Sequence, residues 1–264
     1  MGDIMDTLHF LYHTTPGRLL LKPLTAPALS RACGVFLDST LSHFLVRPFI
    51  RTNNIRIEDY ETEHIRSFND FFSRKIREGL RPVDPDPKHL IAPCDGLLSV
   101  WKVEEDTVLP VKQSSYTLTS LLRSHKLARH YKGGYCLVFR LCVNHYHRYC
   151  YAASGAKSAD VLIPGVFHTV NPLAAATRPL YKENTRIDDL IETEKFGTLL
   201  QMEVGALMVG KIVNDHPEAC TVERGCEKGH FEFGGSTIIV LLEPDAAQID
   251  ATYFQNTAQG QETP

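Results

Sequence analysis

No stretch of the sequence reaches the roughly 18 consecutive apolar residues of a membrane-crossing helix. The nearest, from Gly34 to Ile50, is broken by Asp38, His43 and Arg47. The N-terminus, Met-Gly-Asp-Ile-Met-Asp, lacks the basic start and apolar run of a secretory signal. No two cysteines have Cys-x-x-Cys spacing. Their number, 7 in 264 residues, is odd, which argues against a disulfide framework and for a reducing compartment. An excess of one charge is missing too. Lys and Arg number 28 against 31 Asp and Glu, a net charge of -3, so nothing favours a chain-wide nucleic-acid surface. At 43% hydrophobic and 22% charged residues the chain is neither disordered, collagen-like nor a coiled coil, and it is long enough to bury a core.

What is present divides into a helical part and a β part. Residues 3–50 read as helices, with Leu41, Phe44, Leu45 and Phe49 at helical spacing and Ser39 as a cap. Leu19, Leu20, Leu21 and Leu24 form another apolar cluster. Two readings of this region compete. One is a helical layer on the core. The other is an amphipathic segment resting on a membrane surface, with Arg18, Lys22, Arg31, Arg47 and Arg51 as its basic residues. Ser67-Phe68-Asn69-Asp70 reads as a capping box opening a helix whose apolar face is Phe68, Phe71, Phe72 and Ile76, with Gly79 as its stop. After a Pro/Asp-rich connection over Arg81–Pro87, candidate strands are Leu97–Val103, Tyr135–Val143, Ala159–Ile163, Leu199–Val213 broken near Gly205, and Thr237–Leu242. A helix over Leu118–Arg129 interrupts them, and the tail Ala246–Pro264 reads as polar and loose at its end. The fold class is α+β: an N-terminal helical layer on a mainly antiparallel β core.

Three segments offer chemistry. Gly234-Gly235-Ser236 before an apolar strand is, by default, a turn. The chemical alternative is a strained Gly–Ser peptide whose serine hydroxyl attacks the preceding carbonyl. Elimination from the resulting ester, followed by hydrolysis, leaves a pyruvoyl group. Such a step needs a base, and Asn144 through Cys150 supplies His145 and His147. A zinc site of Cys142, His145, His147 and Cys150 is disfavoured, because strand alternation puts 145 and 147 on one face and 142 and 150 on the other. Ala92-Pro93-Cys94-Asp95-Gly96 is a turn whose carboxylate could hold a histidine in its useful tautomer.

Taken in order, these segments resemble the phosphatidylserine decarboxylases, a pyruvoyl-dependent family of self-cleaving proenzymes. The resemblance also rests on Phe68-Asn69-Asp70-Phe71-Phe72-Ser73-Arg74 with Arg81-Pro82, on Tyr146-His147-Arg148, and on Pro164-Gly165 with Val170-Asn171-Pro172. It continues through Asn184-Thr185-Arg186, Val204-Gly205-Ala206 and Gly225–Gly229 to Phe233-Gly234-Gly235-Ser236-Thr237. It implies cleavage between Gly235 and Ser236, conversion of Ser236 to the pyruvoyl group, and a relay of Asp95, His147 and Ser236 for the cleavage.

The implied activity is a carboxy-lyase reaction: phosphatidylserine becomes phosphatidylethanolamine through a Schiff base with the pyruvoyl group, without metal or pyridoxal phosphate. The implied setting is phospholipid biosynthesis at the cytoplasmic face of the cell membrane, with the protein bound peripherally, no nucleic-acid partner, and the larger and smaller chains still associated. Whether it forms a homo-oligomer is left open. On this reading residues 1–66 form a membrane-associating helical region and residues 67–264 the catalytic domain. The family commonly has a second histidine where this chain has Cys150, which gives His147 both proton-handling tasks or recruits His145 as an auxiliary. The alternatives are a pyruvoyl-dependent decarboxylase of a soluble amino acid and a non-processing lipid-binding homologue.

Overall fold

The computed structural model describes residues 27–104, 108–111, 114–164, 185–205, 211–233 and 236–264. Its centre is the strand β13, Ser236–Leu242, buried at every position. It lies antiparallel between β4, Tyr135–Leu141, and β9, Thr198–Val204. Around this trio an eight-stranded antiparallel sheet runs in the order β1 (Leu97–Lys102), β4, β13, β9, β8 (Arg186–Glu192), β6 (Gly155–Lys157) and β11 (Cys220–Val222), with β7 (Val161–Ile163) also paired to β8.

Alternation along β13 sends its side chains into two cores. Ile238, Val240 and Leu242 meet Tyr149 and Phe231. These two come from a three-stranded sheet of β10 (Ile212–Asn214), β12 (Glu227–Phe231) and β5 (Arg148–Cys150). Ile239 and Leu241 pack with Leu118, Leu121, Leu122 and Tyr131 on the opposite face. Each apolar side chain so buried contributes about 1.5–3 kcal/mol, so the sheet holds this strand whether or not the peptide bond before it is intact. The small sheet needs Gly229: a Cβ there would lie 2.0 Å from the Val213 carbonyl oxygen.

In the N-terminal part, helices cover Pro27–Asp38 and Val46–Asn53 with a 3-10 turn, Thr40–Leu45, between them. Residues 3–26 of the expected helical region, including Arg18 and Lys22, lie outside the described residues. Ser39 does not cap by its side chain; its hydroxyl donates back to the Phe36 carbonyl at 2.6 Å. The capping box at Ser67 is formed: Ser67 Oγ accepts from the Asp70 amide at 3.1 Å, and the Asp70 carboxylate accepts from the Ser67 amide at 2.9 Å. The helix it opens is shorter than its apolar face predicts, ending at Phe72. Beyond it the chain turns to pair Ile76 with Tyr60, and the Arg74 guanidinium lies 4.1 Å over the Tyr60 ring. Phe68, Phe71 and Phe72 pack with Leu37, Val46, Ile55 and Tyr60, so one aromatic cluster spans both sides of residue 67.

Two other expectations are corrected. The helix Leu118–Arg129 is two helices, Leu118–Leu122 and His125–His130, because Arg123 takes the left-handed conformation at φ 49°. The tail is held rather than loose. Ala251–Ala258 is a helix capped by Asp250, and Thr263 exchanges two backbone hydrogen bonds with Leu98 of β1, at 2.7 and 2.9 Å. Glu262 then forms a largely buried ion pair with Arg140 of β4 at 2.6 Å.

Candidate active site

Ser236 opens β13 opposite Leu141, and its residue is fully buried. Gly235, the other half of the expected scissile bond, lies outside the described residues. The segment leading to it is fixed at Phe233. That amide donates to Asn69 Oδ1 at 3.2 Å, and the ring meets Phe68 edge-on at 4.9 Å between centroids and Phe72 at 5.2 Å. The Asn69 amide group in turn donates to Asp38 at 2.8 Å. The Phe-Asn-Asp-Phe-Phe motif thus joins the first helical layer to the approach to Ser236.

His147 is also fully buried, 4.0 Å from the Phe72 ring centroid. Its Nδ1 lies 2.9 Å from the carbonyl oxygen of His145. A carbonyl only accepts, so Nδ1 carries the proton and Nε2 is the basic nitrogen. His145 does not share a strand face with His147. Residues 142–147 form a turn rather than a continuing strand, and His145 Nδ1 accepts the Cys142 amide at 3.1 Å. Burial lowers the His145 pKa, Asp95 raises it and Arg140 lowers it, leaving a net downward shift. Asp95 accepts from Arg81 at 2.9, 3.1 and 2.7 Å, a forked pairing that fixes the carboxylate at the mouth of the turn. Arg148 donates to the Ser73 carbonyl at 2.7 Å and pairs with Glu227, so it braces the histidine turn against the aromatic layer.

A cleft of about 540 Å³ opens here, lined by Arg81, Asp95, Tyr146, Arg148 and Cys150 among others. Burial pushes the Cys150 thiol up to about 12, so this residue is un-ionised at neutral pH. Among the described residues no group of three or more His, Cys, Asp or Glu side chains could hold a metal.

The structure contains a second polar centre that motif reading missed. Lys228, fully buried on β12, places Nζ 2.6 Å from Asp189 of β8 and 2.6 Å from Glu203 of β9, both buried. The available signal was an ionisable residue inside an otherwise apolar strand, as in Leu199-Leu200-Gln201-Met202-Glu203-Val204.

Comparison with known proteins shows the family. A family model described as phosphatidylserine decarboxylase matches residues 68–263. The chain belongs to the phosphatidylserine decarboxylase family. It is 40% identical over 257 residues to phosphatidylserine decarboxylase proenzyme 2 of Clostridium acetobutylicum, covering 97% of this chain and 88% of the relative. It is 36% identical over 267 residues to the phosphatidylserine decarboxylase proenzyme of Ruminiclostridium cellulolyticum, covering 99% and 88%. To that of Clostridium botulinum it is 34% identical over 260 residues, covering 97% and 88%. Within this phosphatidylserine decarboxylase chain the matched region takes in Asp95, His147, Ser236 and the Lys228 centre alike.

Proposed function

We propose that this chain converts phosphatidylserine to phosphatidylethanolamine, using a pyruvoyl group made from Ser236 by self-cleavage after Gly235. The observation that carries the reading is the burial of Ser236 at the head of the central strand, in a chain whose relatives are named as proenzymes. The residues fit such a group. Ser236 pairs with Leu141 of β4 and the next residue, Thr237, with Val204 of β9, Phe233 anchors the approach to it, and His147 is the oriented base. In maturation His147, oriented at Nδ1 by the His145 carbonyl rather than by Asp95, which is paired with Arg81, takes the Ser236 hydroxyl proton as the hydroxyl attacks the Gly235 carbonyl. When formed, the pyruvoyl carbonyl supplies the electron sink that lets carbon dioxide leave the bound serine headgroup. The cleft beside Asp95 and Cys150 is of a size to admit that headgroup.

The acyl chains stay in a bilayer, so the enzyme must meet one. Among the described residues no helix is long and apolar enough to cross a membrane. Val35, Phe36, Leu41 and Phe44 are instead exposed on the first helical layer, at 71%, 44%, 74% and 67%. With exposed Arg47 and Arg51 beside them, they make a docking face for an anionic surface on the cytoplasmic side. Deleting this layer would strip Leu37, Val46 and Phe49 from the aromatic cluster, so point changes are the cleaner test. A chain with Val35, Phe36, Leu41 and Phe44 all changed to Ser is expected to self-cleave normally and to bind phosphatidylserine vesicles at least about tenfold more weakly. Unchanged binding would reject this face as the anchor.

Intact mass tests the central reading. The purified protein should yield a 235-residue chain and a 29-residue chain with a pyruvoyl terminus, and it should release carbon dioxide from phosphatidylserine vesicles but not from free amino acids. A folded chain of full mass would reject it.

A further inference from the structure

We propose that Glu203, held by Lys228, is the acid that returns a proton to the substrate carbon after carbon dioxide leaves, in place of a second histidine at position 150. The inference rests on the decarboxylase reading above.

The reaction sets the need. The bond from the headgroup carbon to its carboxylate breaks, carbon dioxide leaves without the bonding pair, and that pair ends in a new C–H bond. Each turnover therefore takes up one proton inside a buried site. Cys150 holds its proton too tightly to serve: burial pushes its pKa to about 12.

The sheet register puts Glu203 on the right face. Thr237 lies opposite Val204 and Ile238 opposite Glu203. Ser236 is two residues before Ile238, so it points to the same side as Glu203. The two are diagonal neighbours, about 7 Å apart in a regular antiparallel pair. Glu203 is also tied to position 150, because Gln201 Nε2 donates to the Cys150 carbonyl at 3.1 Å and approaches Glu203 Oε1 at 3.4 Å.

Charge counting puts a proton there. One ammonium, Lys228, serves two carboxylates, Asp189 and Glu203, and all three are fully buried. The adjacent Lys157–Asp160 pair, at 2.7 Å, balances itself. A buried excess negative charge is costly, so the cluster is neutral when one carboxyl stays protonated. From β5 Glu203 faces the Tyr149 phenol, and from the Asp95 turn the Cys94 thiol. Burial pushes both of these up, keeping them neutral. The shift follows: burial drives the Glu203 carboxyl up to about 7, Lys228 pulls it down and Asp189 raises it. Glu203 thus carries a proton below a pH of about 7. It gives that proton to the carbon, is left as a carboxylate against Lys228, and is reprotonated from solvent. Lys228 is the positioning residue.

The test is Glu203→Gln in the full chain. Self-cleavage, read by intact mass, is expected to be retained, while kcat on phosphatidylserine falls about 100-fold, the low end of general-acid contributions. The wild-type decline in kcat as pH rises through about 7 should disappear. Adding Cys150→His should recover at least about tenfold. Wild-type kcat with an unchanged pH profile would overturn the proposal, and so would loss of cleavage in a folded Glu203→Gln chain. Should that variant not fold, infrared titration of the full chain carrying 13C-labelled glutamate decides, since the label separates Glu203 from the buried Asp188 and Asp189. A carboxyl losing its proton near pH 7 is expected; none would overturn the proposal. Failure of the decarboxylase reading looks different, because the wild-type chain would then stay uncut.

Discussion

A Ser236→Ala chain is expected to remain a single polypeptide of 264 residues with decarboxylation at background. The change removes the hydroxyl oxygen that attacks in the cleavage and then leaves by elimination, the step without which Cα cannot become the pyruvoyl carbonyl carbon, so both losses come from one atom. Folding should survive. Ser236 begins a strand whose hydrogen bonds are backbone bonds to β4, and the five following apolar side chains are untouched. A single buried hydroxyl is worth about 1 kcal/mol net. Intact mass, a thermal melt and an assay on vesicles check the three parts together. A variant that still splits at this position would remove Ser236 from the chemistry. A variant that is whole but unfolded would instead make the side chain structural.

The largest loss of stability is expected from Lys228→Met. It leaves Asp189 and Glu203 buried without their cation, a change that typically costs about 3–5 kcal/mol. The loss depends on pH with a definite sign. Burial raises both carboxyl pKa values in the folded state, and removing Lys228 raises them further. A raised folded pKa means the folded state binds protons more tightly than the unfolded state. The variant is therefore least impaired in acid, where both carboxyls are protonated, and it weakens as pH rises. Denaturant melts at several pH values would show this; a penalty independent of pH would mean that the cluster is not held by charge. Replacing Lys228, Asp189 and Glu203 together by Met, Leu and Leu should recover most of the stability, since an apolar set needs no solvation. It should not recover turnover if Glu203 supplies the proton.

How far the sequence spoke depended on whether the signal was local. The box at Ser67 and Asp70 is closed by neighbours three residues apart, and it is formed as read. The end of that helix is set by Tyr60 and Asp59, partners from an earlier segment that pull residues 76 and 77 out of register, so the apolar spacing of Ile76 misled. Strand β8, Arg-Ile-Asp-Asp-Leu-Ile-Glu, carries no strand signal in the sequence because its charges look solvent-facing; Arg186, Asp188 and Asp189 are all buried. The tail reads as loose in the sequence because its hydrogen-bond partner, Leu98, is 165 residues away. Ser236 and His147 were legible as motif members. Their supporting contacts were not, since the His145 carbonyl and the Phe72 ring reach His147 only after the turn at Cys142 and the aromatic layer have formed.

The tail also bears on assembly. Strand β13 lies on one side of β4, and Thr263 pairs with β1 on the other, so under the proposed cut residues 236–264 straddle a two-strand section of the larger piece. Before the cut, recovery from denaturant is a first-order event. After it, two polypeptides must find each other, and the shorter one must seat a central strand and an outer edge at once. Recovery of the matured enzyme should therefore scale with concentration, while the uncut Ser236→Ala chain recovers at a rate independent of dilution. Maturation then works in one direction: a molecule that loses its structure after the cut has little prospect of regaining it in a dilute solution.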